Sequence, residues 1–199
     1  VESVVVEELR ELIEALAYER ARTAEEEGES LDVHLQYQDD GDIVARAVPL
    51  PPATESEIAE AERALGRSYP AEYAALLSVA NGFPDYLFGE VLLGTGGVGT
   101  AGVAGIPEGY PATVWGIARE YIDEWYESHE GPLEHSPVDR ADCIPLVSDD
   151  NASGAVYVVA TSGPGWEGGT VVGISGEGIE RYGSIREFLR ARLALTREA

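Results

Sequence analysis

The order in which helix-period and strand-period segments follow one another limits the fold of this chain more than any other feature. Val5, Leu9, Leu12 and Leu16 repeat at helical spacing with Ile13 beside them, while Glu7, Glu8, Glu11 and Glu14 fall mostly elsewhere on the wheel. This predicts an amphipathic helix from about Ser3 to Arg22. The run Glu25-Glu26-Glu27-Gly28-Glu29 then reads as a solvated loop. Leu31, Val33, Leu35 and Tyr37 alternate with polar residues, Asp39-Asp40-Gly41-Asp42 supplies turn chemistry, and Ile43 to Val48 resumes the strand pattern. That is a β-hairpin, followed by an extended linker at Pro49-Leu50-Pro51-Pro52.

Thr54 and Glu57 form a capping box ahead of the stripe Ile58, Ala61 and Leu65, and Gly66 is a C-cap. Pro70 opens another helix, with Tyr73, Leu76, Leu77 and Val79 inward or nearly so and Asn81-Gly82 as its stop. Tyr86 to Leu93 reads as a strand, Gly94 to Gly105 as a glycine-rich loop, and Val114 to Trp125 as a helix. Glu124 to Asp142 is acidic, broken by Pro132 and Pro137, and reads as a surface loop. Cys143 to Val147, Ala155 to Ala160 and Thr170 to Ile174 are strands, with a short strand or turn over Gly178 to Tyr182. Ser184 and Glu187 then cap a last helix running to about Leu195 on Ile185, Phe188, Leu189 and Leu193. Helices and strands do not alternate regularly, so a doubly wound parallel sheet is disfavoured. The order predicts an α+β fold, an antiparallel or mixed sheet with helices packed on one face.

Charge bounds the function. The chain of 199 residues carries 37 acids against 13 bases, a net charge of −24. Residues 1–50 hold 14 acids and 4 arginines and residues 101–150 hold 11 acids and 2 arginines, whereas residues 151–199 hold 5 of each. Such a field repels nucleic acid and anionic membrane and attracts a basic partner. A merely well-solvated surface accounts for the same acids, so both readings stand at this point. No run approaches the roughly 18 to 20 apolar residues that span a bilayer. The opening VESVVVEELRELIEAL is acidic and does not read as a secretory signal. Cys143 is the one cysteine; it cannot form an internal disulfide and reads as a buried small hydrophobe. The cytoplasm is the natural compartment.

Candidate chemistry is sparse. Gly94, Gly96 and Gly99 match the spacing of a dinucleotide-binding turn, but the following TAGVAGIPEGYP supplies no helix to meet a pyrophosphate. His129 and His135, with Glu127, Glu130 and Glu134 nearby, match neither a zinc-protease helix nor a zinc finger. Asp149-Asp150-Asn151 resembles the start of a calcium loop, but the twelfth position is Ala160 rather than glutamate; a hairpin turn is the better reading. No serine elbow or locally supported Cys–His pair is present. The chain is not expected to be an enzyme, and no cofactor or metal is expected.

From Pro52 the sequence resembles the SUKH superfamily, which includes fungal cell-wall-synthesis regulators and many bacterial immunity proteins. The resemblance rests on Pro52 to Gly66, then Tyr69-Pro70-Ala71-Glu72-Tyr73, Leu76-Leu77 and Asn81-Gly82. Further on it rests on Ile144-Pro145-Leu146, Ser148-Asp149-Asp150 and Gly154, and on Tyr182 with Ser184-Ile185-Arg186-Glu187-Phe188-Leu189. It covers about residues 50–195 and departs at Tyr69, where leucine is commoner, and at Asn151-Ala152-Ser153, where glycines are usual. It implies a SUKH-like domain over 50–199; the hairpin before Pro49 has no place in the family pattern, and the helix and hairpin of 1–49 are expected separately to pack on that domain. It also implies protection of a cell from a toxin, often a nuclease, in agreement with the charge.

The expected function is therefore an immunity protein that binds a basic protein toxin. A regulatory or scaffolding module without a toxin partner is the alternative, and a metal-dependent hydrolase using His129 and His135 is a third reading. The candidate binding residues are Asp123, Glu124, Glu127, Glu130, Glu134, Asp139 and Asp142, with Asp149 and Asp150 beside them. Tyr121, Trp125 and Tyr126 are the candidate aromatic anchors. The competing reading makes Trp125 a core residue and the acids the solvated face of a loop.

Overall fold

The computed structural model of the chain describes residues 2–37, 41–87, 89–95, 110–128, 143–149, 156–160, 169–175 and 178–198. A six-stranded antiparallel sheet carries the fold. Its strands β3 (Phe83–Leu87), β4 (Glu90–Leu92), β5 (Cys143–Asp149), β6 (Val156–Ala160), β7 (Val171–Ser175) and β8 (Gly178–Tyr182) are neighbours in chain order. The hairpin of β1 (Asp32–Tyr37) and β2 (Gly41–Arg46) forms a separate two-stranded sheet, with Tyr37 opposite Gly41. The helices are α1 (Glu2–Glu27), α2 (Glu55–Leu65), α3 (Ala71–Leu77), α4 (Tyr110–Ser128) and α5 (Ile185–Glu198). Among the described residues no helix is long and apolar enough to cross a membrane.

Strand register sorts the two faces of the sheet. Tyr157 stands opposite Gly173, and Val158 opposite both Val172 and Pro145. Alternation of side chains then puts Tyr157 on one face and Cys143 and Val158 on the other. The Tyr157 ring packs 4.8 Å from Phe188 of α5, and Gly173 makes room for it, since a Cβ there would lie 2.7 Å from the ring. On this face Leu9, Leu12, Ile13 and Leu16 of α1 share one core with Tyr73, Leu76 and Leu77 of α3 and Ile185, Phe188 and Leu189 of α5. Helix α4 is added on the opposite face, where the Tyr126 hydroxyl lies 3.9 Å from Cys143 Sγ. Cys143 is buried, as its surroundings in the sequence indicate.

Several boundaries differ from the sequence expectation. Helix α1 runs on to Glu27 and takes in the glutamates read as a loop. Gly28 closes it in the left-handed region (φ 69°), with Gly28 N–H donating to the Glu25 carbonyl and Glu29 N–H to that of Ala24, a Schellman motif. The strand expected over Tyr86 to Leu93 is two strands folded back at Gly89 (φ 84°), and the first begins at Phe83. Helix α3 ends at Leu77, before Asn81-Gly82, and α4 begins at Tyr110, ahead of Val114. The Thr54 capping box holds in full and the Ser184 one in half. Thr54 Oγ1 accepts from Glu57 N–H while Glu57 accepts from Thr54 N–H. Ser184 Oγ accepts from Glu187 N–H, and Glu187 reaches one residue further back, to Gly183 N–H.

Candidate partner-binding face

Helix α4 sets the geometry of the acidic candidates. Ala118, Ile122 and Trp125 recur at helical spacing, are buried and form the inward stripe of the helix. Glu120, Glu124 and Glu127 recur at the same spacing and are exposed, so they form an acidic stripe along the solvent side. Asp123 and Tyr121 are half-buried between the two. The sequence reading missed Glu120; its signal is the four- and seven-residue spacing to Glu124 and Glu127.

The aromatic candidates take different places. Trp125 is 8% exposed and turned inward. Its ring meets that of Tyr126 edge to face at 5.2 Å between centroids. Tyr126 is half-buried, one edge on Trp125 and its hydroxyl toward Cys143, which leaves Tyr121 and Tyr126 as the aromatics with accessible surface. Asp149 is the last residue of β5 and pairs in register with Glu90. Glu130, Glu134, Asp139, Asp142 and Asp150 lie outside the described residues, as do His129 and His135.

The distribution of bases matters as much as that of acids. Arg186 bridges Glu8 of α1 and Glu72 of α3 (2.7 and 2.6 Å), and Arg190 also pairs with Glu8. Arg197 meets Glu19 at 3.0 Å, Arg22 meets Glu19 at 2.8 Å, and Arg192 pairs with Glu90. The guanidinium of Arg192 also stacks 4.7 Å above the Tyr157 ring. Arg22 pairs within α1; the other arginines close seams between α1, α3, α5 and the β3–β4 turn. Among the described residues no arginine pairs with Glu120 or Glu124.

The profile of the SMI1/KNR4 family (SUKH-1) matches residues 52–191. The chain belongs to the SMI1/KNR4 (SUKH-1) family. The matched span covers α2 through the middle of α5, including α4 and the whole six-stranded sheet. At the level of this family the expected partner is another protein. Helix α1, the β1–β2 hairpin and the end of α5 from Arg192 onward lie outside the match. No curated protein matches the chain. The SMI1/KNR4 match agrees with the resemblance read from Pro52 to Gly66 and from the later strand and helix motifs.

Proposed function

We propose that this SMI1/KNR4 protein is an immunity protein that binds and neutralises a basic protein toxin, a nuclease fitting best, without catalysing a reaction. The supporting observation is the contrast in charge pairing. Arginines neutralise acids at the helix seams, whereas Glu120 and Glu124 on α4 stand with no pairing arginine among the described residues. Two such carboxylates on one exposed helix side steer a basic partner into encounter and raise its association rate at low salt. A nuclease carries cationic surface to hold phosphate, so an acidic surface is complementary to the site it must block. The binding face centres on Asp123, Glu124 and Glu127 with Glu120. By sequence, Glu130, Glu134, Asp139, Asp142, Asp149 and Asp150 are further candidates for it, with Tyr121 and Tyr126 as its aromatic candidates. Residues 1–49 act as part of the same body as the 50–199 domain, in the cytoplasm.

The test is affinity capture from the native lysate with wild-type protein and with the D123N/E124Q/E127Q variant, washed at low and then high salt. One stoichiometric basic partner, held by wild type and lost from the variant, supports the reading. Equal capture by both proteins rules out α4 as the face. A crowd of basic proteins shed together by salt contradicts a specific partner and favours a scaffold.

A further inference from the structure

We draw no further inference here: the strongest candidate, the outer edge of β8, where Glu180 is exposed and its carboxylate accepts from the Tyr157 and Tyr182 hydroxyls at 3.1 and 2.9 Å, carries nothing, because nothing among the described residues shows what covers that edge.

Discussion

At Gly94 an added Cβ would sit 2.2 Å from the Asn81 carbonyl oxygen. Asn81 is itself fixed, its Oδ1 accepting from Thr95 N–H at 2.7 Å and Thr95 Oγ1 at 3.0 Å. Neither backbone can retreat without breaking this buried pair. Gly94→Ala should therefore cost about 3 kcal/mol, the upper range for overpacking, read as a lower denaturation midpoint with an unchanged slope. Gly66→Ala should cost only about 1 kcal/mol, because Gly66 has open space around it and needs only its left-handed backbone (φ 70°). The contrast was half legible. Gly66 announces itself as a C-cap because the signal is local. Gly94 looks like one more glycine in a loop, because its constraint comes from a segment that only the fold brings against it. Trp125 is similar: the helical period that makes it a candidate anchor is the same period that turns it inward with Ile122.

Among the elements, α5 is held at its start by a residue far away in the chain. The Glu72 carboxylate accepts from the N–H groups of Ile185 and Arg186 at 3.1 and 3.2 Å and from Arg186 Nε at 2.6 Å. Helix N-termini leave these donors without intrahelical partners. Glu72→Ala should destabilise by about 2 kcal/mol, measured by urea unfolding, with the loss partly restored in Glu72→Gln. The other end of α5 meets α1 through Glu19. Hydrogen bonds from Arg22 and then Arg197 hold the Glu19 carboxyl below its ordinary value of 4.5. A group whose pKa is lower when folded contributes stability above its unfolded value and loses it as pH falls through the folded one. Glu19→Gln should thus be less stable than wild type at pH 7, with the gap in thermal midpoint closing as pH drops below 4.5. Neither contact is legible in the sequence, since both join segments more than a hundred residues apart. The elements themselves were legible wherever a cap or a period marked them. Glu25 to Glu27 read as a loop because apolar periodicity ends before the helix does, and β3 and β4 merged because an apolar run hides a fold-back at Gly89.

On the scale of the whole molecule, α1 joins the core of the matched domain although the family profile does not include it. Leu16 is fully buried in the cluster that holds Tyr73 and Phe188. Leu16→Ala should lower global stability by about 2–5 kcal/mol in one cooperative transition; a separate early transition for α1 would show that it folds apart. The net charge of −24 opposes compaction through self-repulsion, and the basic partner proposed for α4 would offset part of it. That account meets its most direct test in the growth of cells expressing the captured basic partner. The partner alone is predicted to arrest growth, wild-type protein to restore it when co-expressed, and the D123N/E124Q/E127Q variant to fail while remaining folded. A partner harmless on its own, or full rescue by the variant, would contradict neutralisation through the acidic face of α4.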